Sequence, residues 1–250
     1  MIDFRHITHL TFDCYGTLID WETGILAALK PVMATHGISV PDEILLELYT
    51  KFEAEQEGGS YRPYHEVLRN VMAGIGSHLG FNPSREDLNT LAGSMKDWPP
   101  FPDTVAALAM LKRRFRLAII SNVDDSLFAA TTEQLKAGFD EVITAQQVRS
   151  YKPARRNFRA ALARLRVPSR RILHVAQSLY HDHVPAKELG FATAWVKRPS
   201  RLGEMGLALP ANVRPDLEVP DLKTLANMAA DRSATAARAG HASGNRSRPA

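Results

Sequence analysis

The chain has 250 residues, of which 45% are hydrophobic and 23% charged, and it contains a single cysteine. This composition is typical of a folded protein with one sizeable core, and it excludes a scaffold held by internal disulfides. No apolar run reaches the roughly 18 residues of a membrane span, and the N-terminal residues lack the apolar segment of a signal peptide, so we expect a cytoplasmic protein with no membrane partner.

The net charge of +4 is concentrated near the C-terminus. Residues 229–250 carry four arginines against one aspartate and contain no Leu, Ile, Val or Phe. Such a segment cannot bury enough apolar surface to become ordered, so we predict a disordered basic tail. The rest of the chain is nearly neutral and the tail has no aromatic residues to stack on bases, so we expect no nucleic-acid partner.

The chain is predicted to be helical between residues 18 and 98. Apolar residues recur there every three to four positions, and prolines, glycines and acidic residues mark the helix ends. The predicted helices are Glu22 to His36, interrupted by Pro31, then Pro41 to about Gly58, Pro63 to about Gly80, and a fourth begun by Ser84. A proline-rich segment at residues 97–102 follows as a stiff hinge. We therefore predict a separate helical domain at residues 18–98.

From Asp103 onward the sequence predicts alternating helices and strands. The predicted strands are Arg116–Ile120, Glu141–Thr144, Ile172–Ala176 and Ala192–Val196, and the helices are Thr104–Arg114, Asp124–Lys136, Ala154–Arg166 and Asp182–Leu189. Apolar strands that alternate with helices indicate a parallel sheet covered on both faces. We therefore predict an α/β fold, a doubly wound Rossmann-like sheet formed by residues 1–17 and 99–228, with the helical block inserted after its first strand.

Polar side chains follow these strands at their carboxyl ends. Asp13 ends the first strand, Ser121 and Asn122 follow the second, Lys152 follows the third, and Asp182 follows the fourth. Each has a plainer explanation alone: a helix cap for Ser121 and Asn122, a solvated loop for Lys152, a first helical turn for Asp182. Open α/β sheets bind ligands at this edge, so their joint placement favours a functional site with a candidate nucleophile at Asp13.

Cys14 adjoins this candidate nucleophile and is itself a nucleophilic residue type. Neighbouring residues on a strand point to opposite faces, so Cys14 and Asp13 are not expected to share one site. We expect Cys14 to be a small buried packing residue.

The motif D-x-Y-G-T-L beginning at Asp13, followed by Ser121-Asn122, Lys152-Pro153 and Asp182, resembles the haloacid dehalogenase (HAD) superfamily of aspartate-nucleophile hydrolases. The resemblance extends from about residue 8 to residue 221 and includes the helical insertion, which corresponds to the family's cap domain. Tyr15 is similar to the L-2-haloacid dehalogenase branch, because phosphatases of the superfamily carry a second aspartate there as general acid.

This resemblance implies a hydrolase that cleaves the carbon–halogen bond of a small 2-halo carboxylic acid through an ester on Asp13. It implies that Lys152 holds Asp13 and that the hydrolytic water is activated by Asp182, either alone or together with Lys152. The implied substrate-binding residues are Tyr15, Thr17, Ser121 and Asn122. No metal or other cofactor is implied, and the only implied partner is a small-molecule substrate. A homodimer paired through cap helices stays open, since their apolar faces could equally be covered within one chain.

Two other functions stay open at this stage. One is a Mg²⁺-dependent phosphatase that uses Asp13, Asp182 and a backbone carbonyl as metal ligands. Tyr15 is a weak acid at neutral pH, and Gln177 stands where a metal-binding acid is expected, so the residues favour the dehalogenase. The other is a binding protein that kept the fold and lost catalysis.

Several positions depart from the dehalogenase pattern and leave the substrate open. The cap arginine that helps to hold the halide is missing: Thr50 and Lys51 are the nearest residues, and its role is either unfilled or taken by Lys51 or Arg62. Phe158 replaces a tyrosine of the family and Leu179 an asparagine.

Two histidines flank Asp182, at positions 181 and 183. A His-Asp-His run can suggest a metal site, but neighbouring residues on a helix face apart. We therefore expect His181 and His183 at the start of a helix, near the mouth of the pocket.

Overall fold

The strands predicted from the apolar pattern form one parallel sheet. The computed structural model describes residues 2–202 and 211–230. Its strands are β1 (His9–Phe12), β2 (Arg116–Ser121), β3 (Glu141–Thr144), β4 (Ile172–Ala176), β5 (Ala192–Val196) and β6 (Leu217–Val219). They lie in the order β3-β2-β1-β4-β5-β6, and every neighbouring pair is parallel. The predicted α/β doubly wound fold is confirmed, with β6 as an additional short strand.

The central position of β1 fixes where its last residues lie. Phe12 is level with Ile119 on β2 and with Val175 on β4. All residues of β1 and β4 are buried, as expected for strands covered on both faces. The chain therefore leaves these three neighbouring strands at one edge of the sheet, which brings their C-terminal residues together.

Helices connect and cover the strands. They are α1 (Trp21–Thr35), α2 (Asp42–Glu57), α3 (Tyr64–Leu79), α4 (Asp87–Ser94), α5 (Thr104–Lys112), α6 (Asp125–Leu135), α7 (Ala145–Val148), α8 (Arg155–Leu165) and α9 (Val184–Glu188), and residues 222–230 are also helical. The helices α1 to α4 form the predicted insertion between β1 and β2. The expected interruption at Pro31 is wrong, because Pro31 lies on the exposed side of α1 while Leu29 and Val32 hold that helix in the core.

The inserted helices cover their apolar faces within the chain. In α3, the side chains at the buried face are inaccessible to solvent: Val67, Leu68, Val71, Met72 and Ile75. This face of α3 is therefore not free to pair with a second copy, whereas Ile44 of α2 is exposed, and the homodimer stays a prediction. In residues 2–202 and 211–230, no helix combines the length and apolar character needed to cross a bilayer.

Two antiparallel chain segments join the insertion to the sheet. The N–H of Asp20 donates to the carbonyl of Pro99 at 2.8 Å, and the N–H of Phe101 donates to the carbonyl of Leu18 at 3.0 Å. These bonds lie close to the predicted domain boundaries at residues 18 and 98, and the division into two domains stays a prediction.

The helix at residues 222–230 extends past Ala229, the predicted start of the tail. Ala229, predicted to begin the disordered tail, is only 2% exposed, and its carbonyl oxygen accepts a hydrogen bond from Arg114. The predicted start of the tail is corrected because residues 222–230 form a helix that packs Leu222, Leu225 and Ala229 into the core. Residues 231–250 of the predicted tail lie outside the described residues.

Asp124, which directly precedes α6, bonds to the start of α3 in the inserted helices. Its side chain is buried, and its carboxylate accepts hydrogen bonds from the N–H groups of Tyr64 at 2.9 Å and His65 at 3.0 Å. The Nδ1 atom of His65 adds a third contact at 2.8 Å. An anionic side chain thus satisfies N–H groups in the first turn of α3, where the helix dipole favours negative charge.

We expect Asp124→Ala to lower the free energy of unfolding by about 1–2 kcal/mol, because it removes this acceptor from the helix terminus. Urea denaturation of the variant measures the effect. Glu47→Ala, at an exposed position of α2, is the matched control and should change stability by less than about 0.5 kcal/mol. Equal stability of the Asp124→Ala variant and the native protein would contradict this role.

Candidate active site

Asp13 directly follows β1, and both of its carboxylate oxygens are held by buried donors. The Nζ atom of Lys152 donates to Oδ1 at 2.7 Å, and the hydroxyl of Thr17 donates to Oδ2 at 2.7 Å. The backbone N–H of Asp13 continues the sheet ladder to the carbonyl of Val175 at 3.1 Å. The carboxylate therefore has a fixed orientation at the sheet edge, as a nucleophile requires.

Lys152 is only 3% exposed, which rules out the plainer explanation of a solvated loop charge. Its ammonium uses its three donors on Asp13 Oδ1 at 2.7 Å, Asp182 Oδ1 at 2.8 Å and the carbonyl of Ile120 at 3.0 Å. Burial disfavours the charged ammonium, but the charges of Asp13 and Asp182 outweigh it and raise the pKa of Lys152. Lys152 is therefore a cation at neutral pH and not a proton acceptor.

Asp182 lies behind Lys152 in a π-helical turn, Leu179–His183, and not in the first turn of an α-helix. Its Oδ1 atom also accepts from Nε2 of His174 at 3.0 Å. Burial works against its charge, but Lys152 and His174 together lower the pKa of Asp182. No group in the described ranges bonds to its Oδ2 atom, which leaves that oxygen able to accept a proton from water.

Asp13 and Asp182 both bond to the Lys152 ammonium, but their pKa values shift in opposite directions. Burial raises the pKa of Asp13, and the nearby charge of Asp182 adds to that rise, while Lys152 opposes it. Asp182 has the additional hydrogen bond from His174. Negative charge is therefore held more firmly on Asp182 than on Asp13.

A cavity of about 150 Å³ lies against this group. Six of the seven predicted site residues line it: Asp13, Tyr15, Ser121, Asn122, Lys152 and Asp182. The seventh, Thr17, binds Asp13 from behind and accepts the N–H of Gln177 at 3.0 Å. The predicted residues thus meet at one place, and their individual roles stay predictions.

The family of the chain follows from a match that covers most of its length. Residues 7–189 match the model of the haloacid dehalogenase-like hydrolases. The chain belongs to this family. The resemblance found in the sequence is therefore confirmed.

Several relatives of this hydrolase are dehalogenases. The (S)-2-haloacid dehalogenase H-109 of Pseudomonas putida is 26% identical over 224 residues, which cover 86% of this chain and 97% of that protein. The (S)-2-haloacid dehalogenase of Pseudomonas sp. (strain YL) is 26% identical over 230 residues, covering 89% and 94%. The structure of L-2-haloacid dehalogenase from Xanthobacter autotrophicus superposes with a TM-score of 0.75 at 24% identity, covering 89% of this chain and 98% of that one. That enzyme has also been solved with chloropropionic acid covalently bound.

Among the described residues, the side chains of Ser121 and Asn122 form no hydrogen bond to Asp13. Asn122 Oδ1 accepts the N–H of Lys152 at 2.7 Å, and its Nδ2 donates to Glu57 Oε2 at 3.1 Å. The hydroxyl of Ser121 is buried, and it has no hydrogen-bond partner among the described residues. Asn122 thus fixes the loop that carries Lys152, and the expected role of both residues in binding the substrate stays a prediction. The Ser121 hydroxyl remains available to a bound molecule.

Tyr15 is fixed by its hydroxyl and its ring. The hydroxyl lies 2.9 Å from Thr131 Oγ1, and the ring packs edge-to-face on Trp98 with centroids 5.7 Å apart. Burial raises the pKa of Tyr15 well above its usual range. Tyr15 therefore shapes the cavity and does not act as a general acid at neutral pH.

Cys14 is buried, as expected from its position opposite Asp13. Burial and the nearby carboxylate of Asp13 raise the pKa of its thiol well above the usual range. The thiol is therefore protonated and packs in the core.

Of the two alternatives for the missing cap arginine, the structure does not support a transfer of its role to Lys51 or Arg62, so the role is unfilled by either residue. Lys51 is exposed, with its ammonium 5.4 Å from the ring centroid of Phe52, and Arg62 donates to Gln56 at 2.8 Å. Neither side chain is part of the cavity wall. The packing of α2 turns Lys51 outward and directs Thr50 into the cavity.

The two histidines beside Asp182 occupy different environments. His181 lines the cavity, and its ring lies 3.2 Å from Ser178 Oγ. His183 is fully buried, donates to the carbonyl of Ala176 at 3.1 Å, and has its pKa lowered by burial to about 4. The expected position near the pocket mouth therefore holds for His181 alone. Across residues 2–202 and 211–230, no group of three His, Cys, Asp or Glu side chains is arranged to hold a metal ion.

Sequence reasoning missed two glutamates of α2 that line the cavity. Glu53 accepts hydrogen bonds from the hydroxyl of Tyr49 at 3.1 Å and from the hydroxyl of Tyr64. Burial raises the pKa of Glu53, and burial together with the charge of Glu53 raises the pKa of Glu57 well above its usual range. Their spacing of four residues was an available signal, since it places both side chains on one helix face.

His174 and Arg198 were also missed. His174 connects Asp182 to Thr11 on β1, whose hydroxyl lies 2.9 Å from the ring Nδ1 atom. A histidine inside the apolar segment ILHVA was the available signal. Arg198 lines the cavity after β5, donating to Asp103 at 2.6 Å and to the carbonyl of Thr17 at 2.9 Å.

Proposed function

We propose that this hydrolase releases halide from a small 2-halo carboxylic acid, without a metal, through an ester formed on Asp13. The observation that supports this best is the Asp13 carboxylate, held by Lys152 and Thr17 beside a cavity in which Tyr15 replaces an acid. The names of the relatives, and the covalently bound chloropropionic acid in one of them, support the same reaction.

In the proposed first step, a carboxylate oxygen of Asp13 attacks the carbon that carries the halogen. The new C–O bond forms as the carbon–halogen bond breaks, and the halide leaves with the bonding electron pair. A departing halide needs no proton, so the absence of an acid at Tyr15 does not hinder the step. The two hydrogen bonds on Asp13 hold the attacking group in one orientation.

In the proposed second step, water attacks the carbonyl carbon of the ester. Asp182 accepts one proton from the water, and the Lys152 ammonium stabilises the negative charge on the tetrahedral intermediate. The ester C–O bond then breaks, and the leaving oxygen takes the proton from Asp182 to give a 2-hydroxy acid. The second proton of the water is released to solvent, and Asp13 is again a carboxylate.

The donor set fits Mg²⁺ poorly, which supports a reaction without this ion. Asp182 Oδ1 is committed to Lys152 and His174, and Gln177 offers a neutral amide where a phosphatase carries an acid. We therefore propose the dehalogenase in preference to the phosphatase.

We expect the protein to release chloride from at least one member of a panel of small (S)-2-chloro carboxylic acids, with the same rate in the presence and absence of EDTA. p-Nitrophenyl phosphate with Mg²⁺ is the parallel substrate, and a chloride electrode and absorbance measure the products. Loss of chloride release in EDTA, or phosphate release alone, would contradict the proposal in favour of a phosphatase. No turnover in either assay, with small-molecule binding retained, would favour a binding protein.

A further inference from the structure

The face of α2 that meets the cavity carries acceptors. Thr50, Glu53 and Glu57 are spaced by three and four residues, so they lie on one side of the helix, and all three line the cavity. This is the wall on which the dehalogenase pattern would place a cation. The chain instead provides two carboxyl groups there.

Acidic groups outnumber basic ones around the cavity. Among the described residues of its wall, the side chains that carry carboxyl groups are Asp13, Asp20, Glu22, Glu53, Glu57 and Asp182, and the Lys and Arg side chains are Lys152 and Arg198. Both cations are already paired, Lys152 with two aspartates and Arg198 with Asp103. Within the described wall, no unpaired Lys or Arg is therefore available to hold an anionic group of a ligand against α2.

The side chains of four of these acids accept hydrogen bonds from other residues: Asp13, Asp20, Glu22 and Asp182. The two glutamates of α2 can each accept further hydrogen bonds. Both phenol hydroxyls bonded to Glu53 contact Oε1, and its Oε2 has no partner among the described residues. The carboxyl group of Glu57 receives only the amide of Asn122. No Lys, Arg or His within the described ranges forms an ion pair with either glutamate.

Two hydroxyls that line the cavity, Thr50 on α2 and Ser121 at the end of β2, are also unpartnered among the described residues. Ser121 Oγ and Thr50 Oγ1 are shielded from solvent and have no hydrogen-bond partner in residues 2–202 and 211–230. Ser121 is only 1% exposed. Buried polar groups without partners are rare in folded proteins, so such groups on a cavity wall indicate a ligand that would bond to them.

We propose that Glu53 and Glu57 bind a protonated primary amine of the substrate. The inference rests on the proposed function: Asp13 attacks one end of the small molecule, and the two glutamates hold an ammonium group at another. Three N–H donors of an ammonium match the unused oxygens of the two carboxyl groups, and its positive charge favours their ionised form, which burial disfavours. A divalent metal ion is the less suitable occupant, because no third His, Cys, Asp or Glu among the described residues forms a metal-binding group with the two glutamates.

A binding experiment that needs no turnover tests the subsite. The probes are n-butylammonium, the neutral n-butanol and Mg²⁺, each titrated into the full-length protein in a calorimeter. We expect butylammonium to bind at least about 10-fold more tightly than butanol, and we expect Glu53→Gln and Glu57→Gln each to remove most of this preference. Glu47→Gln, on the exposed side of the same helix, is the matched control and should keep it.

Equal affinities for butylammonium and butanol would overturn the subsite, as would an unchanged preference in both Gln variants. Saturable binding of Mg²⁺ that is lost in the same variants would also overturn it and would assign the glutamates to a metal.

A second pair of compounds separates the subsite from the proposed reaction. In 2-chlorohexanoate a methyl group replaces the ammonium group of 5-amino-2-chloropentanoate. We expect kcat/KM for chloride release to favour the amine at least about 10-fold in the native protein and in Glu47→Gln, but not in Glu57→Gln. Chloride release without this preference overturns the subsite alone. Preferential amine binding without chloride release from any 2-chloro acid overturns the reaction and leaves the subsite in place.

Discussion

Replacing Asp13 with asparagine is expected to reduce kcat/KM for halide release by about 10⁴-fold or more, as does the removal of a covalent nucleophile in other hydrolases. The amide keeps the size of the side chain and an oxygen that accepts from Lys152, but it lacks the anionic oxygen that attacks carbon. Steady-state chloride release at saturating and at low substrate measures the change.

The matched control is Asp20→Asn, because Asp20 also lines the cavity and its carboxylate bonds, among the described residues, to Thr23 alone. Asparagine is an equally good helix cap, so this variant should retain activity within a few-fold. The unfolding transition of both variants should match that of the native protein, which separates lost chemistry from lost structure. Activity of Asp13→Asn within about 10-fold of the native value would contradict a nucleophilic Asp13.

Replacing Lys152 with methionine is expected to reduce kcat/KM by about 10²–10³-fold and to move its acidic limb to higher pH. In the proposed reaction Asp13 attacks as a carboxylate, so we expect activity above the pKa of Asp13 and its loss as the pH falls through that pKa. Burial already raises that pKa above its usual range, and the charge of Lys152 opposes the rise. Without the ammonium the pKa of Asp13 rises further, so the acidic limb follows it.

A pH profile of kcat/KM between about pH 4 and pH 9 measures this shift. Lys152→Arg keeps the positive charge between the two carboxylates, and its acidic limb should stay close to that of the native protein. The arginine variant also controls for loss of folding. Lys152→Met leaves a buried carboxylate unpaired, which lowers the free energy of unfolding by about 3–5 kcal/mol, whereas Lys152→Arg keeps it paired. An unshifted limb in a folded Lys152→Met variant would contradict the electrostatic role of Lys152.

The sheet and its functional edge were predictable because local sequence encodes them. The strands β3, β4 and β5 are short apolar runs that alternate with amphipathic segments, and their predicted and observed bounds agree. Parallel strands bring their carboxyl ends to one edge, so Asp13, Lys152 and Asp182 could be grouped without knowing any distance. By contrast, β6 has only three residues, too few for a periodic signal, and it was missed.

The wall of the cavity could not be predicted from the sequence, because it depends on how α2 is rotated against the sheet edge. The apolar residues of α2 define a buried face, but not which flank of that face meets the site. Glu53 and Glu57 therefore lie where Lys51 or Arg62 was expected to act. The same limit applies to His174, whose partners Thr11 and Asp182 come from two other segments of the chain.

The most direct test of the account is a single-turnover reaction in ¹⁸O-labelled water, with the protein in excess over the 2-chloro acid that it dechlorinates fastest. If water hydrolyses an ester on Asp13, mass spectrometry will find the label in the peptide that contains Asp13, and the 2-hydroxy acid will carry unlabelled oxygen. If water attacks the substrate directly, the label will appear in the 2-hydroxy acid and not in that peptide, and the covalent role of Asp13 will be refuted.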